Sequence, residues 1–407
     1  MPNIRDLNMF FDHLKLAPAD PILGLTDAFK ADTNPKKVNL GVGVYQNEHG
    51  VTPVLKCVKE AEKILVETEQ SKSYLPITGL PDYGRLTREL LFGKDSALVS
   101  DGRAVTCHCP GGTGALRIAA DFIYQQHIAS RVWISDPTWG NHFQIVEAAG
   151  LKTERYPYYD RAAHALAFDR MLDTLEQASE GDVVIIHACC HNPTGIDPTP
   201  EQWDQIADFL ARKKLLPLID FAYQGFGKGL EEDAYGVRKI LEKNSEVLIA
   251  SSFSKNFGMY NERVGALTAV SATKEVGTNV LSQIKLAIRC AISNPPAHGE
   301  KVVITVLSNP DLRLMWEQEL AEMRERMSRM RNLLAEKLKA AGAGDFDFIT
   351  KQNGMFSFSG LTKEQVEQLR AEFGIYIVGS GRMCVAGIND ENVDYLADAI
   401  TKVVKGA

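Results

Sequence analysis

Five short apolar runs punctuate the middle of the chain: Val132 to Ile134, Val183 to Ala188, Leu215 to Ile219, Val247 to Ala250 and Val264 to Ala269. Continuous apolar runs of this length, bounded by turn residues, read as strands buried on both faces. Between the first four lie amphipathic stretches such as Glu201 to Lys213 and Ala234 to Lys243, with apolar residues at helical spacing. Strand and helix in alternation predict an α/β fold with a central, mostly parallel sheet.

A different pattern follows. From about Pro310 to Ala341 the chain is highly charged, yet Leu314, Leu320, Met323, Met327, Met330, Leu334 and Leu338 recur at helical spacing. This predicts one long helix that packs the apolar stripe against a core. Beyond it, Phe346 to Ile349, Gly354 to Ser359 and Ile375 to Val378 read as short strands around a helix over Lys363 to Phe373, a smaller α+β domain. The first fifty residues carry Pro18, Pro21 and Pro35 and end in an extended segment from Val38 to Tyr45. They are expected to join the carboxyl-terminal part across space. The predicted division is an amino-terminal arm and part of the small domain in 1–48, a large domain in 49–312, and a linking helix with the rest of the small domain in 313–407.

Composition narrows the class. With 407 residues, 45% hydrophobic and 24% charged, the chain can bury a substantial core. A net charge of −7 and the lack of any Lys/Arg cluster interleaved with aromatics argue against a nucleic-acid surface. No stretch reaches the length of a membrane span, and the start, Met1-Pro2-Asn3-Ile4-Arg5-Asp6, is not built like a secretion signal, so a cytoplasmic protein is expected. The seven cysteines, an odd number, fit reduced thiols. Cys107-His108-Cys109 and Cys189-Cys190-His191 lack zinc-type spacing and read as small core residues; no metal is expected.

Open α/β sheets place their ligand crevice beyond the carboxyl ends of the strands, so the residues after each apolar run decide the chemistry. After Val247 to Ala250 comes Ser252-Phe253-Ser254-Lys255-Asn256, followed by Arg263. A lysine beside a fixed cation in a crevice tends to lose its proton and become a nucleophile able to form a Schiff base; most lysines are solvated surface charges. After Leu215 to Ile219 comes Asp220-Phe221-Ala222-Tyr223, where the acid either caps a turn or serves a cationic ligand. His191-Asn192-Pro193-Thr194-Gly195 is a turn by composition, with the bond before Pro193 a candidate for cis. Asn192 there is either structural or an amide aimed into the crevice.

Pro110-Gly111-Gly112-Thr113-Gly114 leads into a helix whose first amides attract phosphate. It matches neither a P-loop nor the dinucleotide fingerprint, which counts against a dinucleotide-dependent oxidoreductase. Trp139 either stacks on a flat ring or fills the core. His142 and His187 flank these turns as candidate donors behind the site, or as core histidines. Arg382, in Gly379-Ser380-Gly381-Arg382, suits a bidentate carboxylate fork.

In their order and spacing these segments resemble the class I pyridoxal-phosphate aminotransferases over nearly the whole chain, and within them the aspartate and aromatic branches. The resemblance implies pyridoxal 5'-phosphate as cofactor, held by Lys255 as an internal aldimine, with the freed amine carrying a proton between Cα and C4′. It implies that Asp220 keeps the pyridine nitrogen protonated and that Tyr223 and Asn192 hydrogen-bond the ring oxygen. Gly112, Thr113, Ser252 and Arg263 would bind the phosphate, and Trp139 would stack on the ring. Arg382 would fork the substrate α-carboxylate beside Gly43 and Asn192.

The resemblance also implies a homodimer with shared sites. Tyr74 matches a tyrosine lent to the neighbouring subunit's phosphate, and Arg289 an arginine that reaches across to the second carboxylate of a dicarboxylic substrate. Val44, Gln46, Thr113 and Asn294 resemble the aspartate-preferring branch, whereas Ile292 departs from the usual aromatic residue and Gly379 to Ala386 resembles the aromatic branch. The implied reaction is L-aspartate plus 2-oxoglutarate giving oxaloacetate plus L-glutamate, ping-pong through pyridoxamine phosphate. Aromatic amino acids are the alternative substrates.

Overall fold

The computed structural model describes residues 10–17 and 23–406; Pro18, Pro21 and the first nine residues of the predicted arm lie outside the described residues. Seven strands form the central sheet: β1 (Ala104–Pro110), β2 (Arg131–Asp136), β3 (Lys152–Pro157), β4 (Val183–His187), β5 (Leu216–Phe221), β6 (Val247–Ser252) and β7 (Val264–Val270). They lie in the order β1-β7-β6-β5-β4-β2-β3. Strand β7 is antiparallel to both neighbours, and every other pairing is parallel. Every residue of β4, β6 and β7 is buried, as strands covered on both faces require. Strand β3, which no apolar run announces, is an edge strand in which only Tyr156 is buried.

The one reversed strand shapes the site. Because β7 runs backwards, its first residue, Val264, pairs with Pro110, and Gly265 pairs with Cys109 on one side and Ser252 on the other. Arg263 is thereby delivered to the same sheet edge as the carboxyl ends of the parallel strands. On that edge His187 pairs with Asp220, and Asp220 with Ala250.

The long helix spans Pro310–Ala340, and the Asn309 side chain accepts from the first amides, a cap worth about 1 kcal/mol. Its buried stripe runs through Leu312, Trp316, Leu320, Met323, Met327, Met330, Leu334 and Leu338. Leu314, expected on that stripe, is 56% exposed; Leu312 and Trp316, four residues apart, occupy the inward face instead. Trp316 donates its indole N–H to the Asn256 carbonyl at 2.7 Å and stacks on Phe257 at 4.7 Å, which pins the turn that follows Lys255.

A separate apolar core joins Val38 and Leu40 to residues between Met330 and Val403. Val38–Asn39 pairs in parallel with Ile375–Tyr376, and Phe356–Phe358 antiparallel with Arg382–Cys384. The strand expected over Phe346 to Ile349 is instead the start of a 3₁₀ turn over Asp347–Lys351. Phe346 and Ile349, both buried, are three residues apart, which is the 3₁₀ period. Six of the seven cysteines are buried free thiols and Cys290 is exposed. Among the described residues no helix is long and apolar enough to cross a membrane.

Candidate active site

A cavity of about 230 Å³ opens at the carboxyl edge of the sheet. Its lining includes Gly112, Thr113, Trp139, Asn192, Asp220, Tyr223, Ser252, Lys255 and Arg263 from the sheet side, with Gly43 and Arg382 from the two chain ends. Every candidate site residue except Tyr74 and Arg289 therefore meets in one place.

The donor end of the cavity is built by close backbone approach. Gly111 has φ +73°, and a Cβ there would stand 2.3 Å from Arg263 Nη2; a Cβ on Gly112 would stand 3.1 Å from Ser252 Cβ. Only glycine lets the start of the helix Gly111–Gln125 sit against Arg263 and Ser252. Arg263, itself at φ 54°, donates to Ser254 Oγ at 3.3 Å and to the Tyr260 carbonyl at 2.9 Å. The hydroxyls of Thr113, Ser252 and Ser254, a guanidinium and open helix amides make a cup for a dianion.

Lys255 Nζ lies 5.2 Å from the centre of the Tyr223 ring. Burial pulls its amine below the usual lysine value; the Asp220 carboxylate pulls upward, and the Arg263 guanidinium reinforces burial. Asp220 shows the opposite balance. Burial pushes its carboxyl up, yet the hydrogen bond from His142, with the basic side chains around it, leaves it below its usual value. His142 donates from Nε2 to Asp220 Oδ2 at 2.9 Å and meets Thr138 Oγ1 through Nδ1 at 2.8 Å. His187, whose ring lies 5.1 Å from that of His142, is held neutral by burial, its pKa pulled down to about 3. An ionised Asp220 in a buried setting is thus secured by a histidine relay.

Arg382 is 5% exposed. It donates to Asn192 Oδ1 at 3.3 Å and to the Gly41 carbonyl at 2.6 Å, and stacks over Phe356 at 4.3 Å. These partners are neutral, and its Nε is buried without one. A Cβ on Gly43 would stand 2.9 Å from the Phe356 ring, so the chain can pass there only as glycine. The Asn192-Pro193 bond is cis, as its composition anticipated, and Gly195 closes the turn at φ +69° against the Phe356 carbonyl. Behind Tyr223, Asp233 accepts from the amides of Gly225, Gly227 and Lys228 at 2.8 to 2.9 Å, fixing that loop.

Tyr74 and Arg289 stand apart from the cavity. Tyr74 is 92% exposed. Arg289 is exposed and bonds Ser293 Oγ, with Asn294 Oδ1 at 3.4 Å. Asn294 in turn donates to the Leu75 carbonyl at 2.7 Å, so the two outlying residues belong to one connected surface.

Sequence reasoning missed Ser254, Tyr260 and Phe356 as parts of the lining. Ser254 sits inside the Ser-x-Ser-Lys motif and was legible as a second hydroxyl. Tyr260, whose hydroxyl accepts the Tyr45 amide at 2.8 Å, and Phe356, from the distant strand paired with Arg382–Cys384, are placed by tertiary packing alone.

Fold and cavity together define an α/β enzyme with a lysine, an acid and an arginine converging at the edge of a largely parallel sheet. The family described as aminotransferase class I and II matches residues 35–400, and the chain belongs to it. An aspartate aminotransferase of Escherichia coli (strain K12) is 56% identical over 395 residues, covering 97% of this chain and all of that protein. The crystal structure of an aromatic-amino-acid aminotransferase from Burkholderia pseudomallei, covalently bound to pyridoxal phosphate, superposes with a TM-score of 0.95 at 50% identity, covering 97% of this chain and 100% of that one. A psychrophilic aromatic aminotransferase from Psychrobacter sp. B6, cocrystallised with aspartic acid, has a TM-score of 0.95 at 45% identity, with the same coverage of both chains.

Proposed function

We propose that the chain is a pyridoxal-phosphate-dependent transaminase that passes the amino group of L-aspartate to 2-oxoglutarate, giving oxaloacetate and L-glutamate. What carries this is the convergence in one cavity of Lys255 with a lowered pKa, ionised Asp220 backed by His142, and buried Arg382 with only neutral partners.

The residues fit the cofactor. The cup of Gly112, Thr113, Ser252, Ser254 and Arg263 suits its phosphate, and the charge of Asp220 suits a protonated ring nitrogen. The buried, unpartnered Arg382 Nε suits the carboxylate of an amino-acid substrate. When bound, the cofactor supplies an electron sink for the bond-breaking at substrate Cα. The chain does the rest. Lys255 would hold the aldehyde carbon, and its Nζ, when free and neutral, would carry the proton from substrate Cα to the carbon that had held the lysine. Asp220 would keep a proton on the ring nitrogen, and Tyr223 and Asn192 Nδ2 would donate to the ring oxygen. Trp139 would stack on the ring, and Gly43 would leave room beside Arg382 for the α-carboxylate.

Tyr74 and Arg289 complete the site of the neighbouring subunit in a homodimer, Tyr74 at the phosphate and Arg289 at the second carboxylate. Their exposure and their distance from this chain's own cavity support this role. A cytoplasmic location belongs to the same proposal. So does a division into 49–312 and a smaller unit of 1–48 with 313–407, supported by the separate core that joins Val38 and Leu40 to the carboxyl-terminal residues. The resemblance of Val44, Gln46, Thr113 and Asn294 to the aspartate branch favours a dicarboxylate. A second reading, overlapping use of aromatic amino acids, is favoured by Ile292 and the segment Gly379 to Ala386.

The test is a substrate panel on protein reconstituted with pyridoxal phosphate. Aspartate is expected to exceed phenylalanine in kcat/KM by about tenfold or more. Failure to retain the cofactor ends the proposal, and a preference for phenylalanine turns it to the second reading. Asp220→Asn, which keeps the shape and loses the charge, is expected to slow the aspartate half-reaction by about 10³-fold. Cofactor affinity should change by less than about tenfold, because the phosphate cup is intact. Equal losses in both would assign Asp220 to binding instead.

A further inference from the structure

Outside the cavity, among the described residues, one more acid is buried with a histidine. His108 Nδ1 lies 2.7 Å from Glu300 Oε2, and both side chains are fully buried. The other carboxylate oxygen of Glu300 accepts the Leu80 amide at 2.5 Å. A carboxylate so placed needs its partners, because removing one leaves a buried charge uncompensated. Neither residue lines the cavity, and the proposed reaction makes no use of them.

What the pair touches is the segment that carries Tyr74. His108, in β1, also donates its backbone N–H to the Thr78 carbonyl at 2.9 Å. Glu300 stands in the first turn of the helix His298–Ser308. Gly79, at φ +80°, lies against both: a Cβ there would stand 2.6 Å from Glu300 Oε1 and 2.8 Å from His108 Cβ. The chain from Leu75 to Leu80 is thus clamped at each end, by Asn294 on the Leu75 carbonyl at 2.7 Å and by Glu300 on the Leu80 amide. Tyr74 sits just outside the first clamp with its ring in solvent, so the backbone anchorage sets where its hydroxyl can reach.

We propose that the His108–Glu300 pair is a positioning device for Tyr74, and so governs cofactor retention in the partner subunit and not in its own. The proposal rests on the shared-site reading above. It is specific because β1 runs on from His108 into Gly111 and Gly112, the chain's own phosphate cup. A merely local staple would disturb that cup first.

Hybrid dimers with one complete site each separate the two. In the first, a subunit carrying both Lys255→Ala and Glu300→Ala is paired with an unaltered subunit; the only site with its lysine takes Tyr74 from the chain lacking Glu300. In the second, a Glu300→Ala subunit is paired with a Lys255→Ala subunit; the site with its lysine lies in the altered chain but takes Tyr74 from an intact clamp. Retention of pyridoxal phosphate is read at the lysine-bearing site by borohydride trapping after dialysis.

The first hybrid is expected to lose cofactor roughly tenfold more readily than a hybrid carrying Lys255→Ala alone, the effect of one weakened hydrogen bond to a charged group. The second is expected to match that reference. Glu300→Gln, whose amide oxygen still accepts from Leu80, is expected to restore retention in the first hybrid. The double replacement His108→Leu/Glu300→Leu removes the buried acid and its histidine together, so that no buried charge is left uncompensated, while freeing the Leu80 amide; it is expected to reproduce the one-sided loss. A loss in both hybrids, in the second alone or in neither, or no rescue by Gln, overturns the proposal while leaving the shared site standing. Subunits that do not pair at all overturn the shared site and the proposal with it.

Discussion

Replacing Lys255 with Ala is expected to lower kcat by roughly 10⁴-fold or more, since a positioned general base alone contributes about 10²–10⁴-fold and the covalent attachment point goes with it. The fold should survive, because the turn after Lys255 is pinned by Trp316 on the Asn256 carbonyl and by the Phe257 stack. The amine must be neutral both to capture the aldehyde and to accept a proton. Burial and Arg263 hold its pKa below the usual lysine value against the pull of Asp220. The rate at which cofactor-free protein captures pyridoxal phosphate should therefore rise with pH through a limb below the range of a free lysine, about 10.4. Asp220→Asn removes the upward pull and should move that limb to lower pH. Rapid mixing across pH reads both effects. A limb that moves upward, or a Lys255→Ala protein that still transaminates, would remove Lys255 from the chemistry.

That lysine was legible in the sequence because its setting is local: a buried strand, two hydroxyls and an amine within four residues, and Arg263 soon after. The other strand-end residues were legible for the same reason, since a parallel sheet brings Asp220, Asn192 and Thr113 to one edge whatever the loops do. Other features were set by apposition of distant segments. Strand β3 carries mostly polar residues at the sheet edge and gave no apolar signal. Phe356 reaches the cavity by pairing its strand with that of Arg382, more than a hundred residues beyond the lysine in the chain. The role of His142 was visible only as a histidine near a turn; its bond to Asp220 depends on how the segment after β2 folds over β5. The misplaced strand at Phe346 and the misassigned Leu314 share a cause. A few apolar residues at short spacing fit more than one period, and packing chose the other.

Arg289→Leu is expected to lower kcat/KM for aspartate by roughly 10²- to 10⁴-fold while changing that for phenylalanine by less than about tenfold. In this chain the guanidinium is exposed, and its hydrogen bonds go to the neutral oxygens of Ser293 and Asn294. Those contacts fix its direction without neutralising it, and leave a cation for a carboxylate from outside the chain. An aromatic substrate would leave that charge unpaired in a closed site, which is costly, so the same residue that rewards a dicarboxylate penalises a ring. Replacing it with Leu removes reward and penalty together, and the preference for aspartate over phenylalanine should be lost or reversed. The effect also has a direction across the dimer. In a hybrid where the Leu stands only in a Lys255→Ala subunit, the intact partner should lose its aspartate preference; with the Leu moved to the subunit that keeps its lysine, the preference should be retained. An aspartate rate unchanged by Arg289→Leu would separate substrate choice from this residue and return it to Arg382 and the cavity walls.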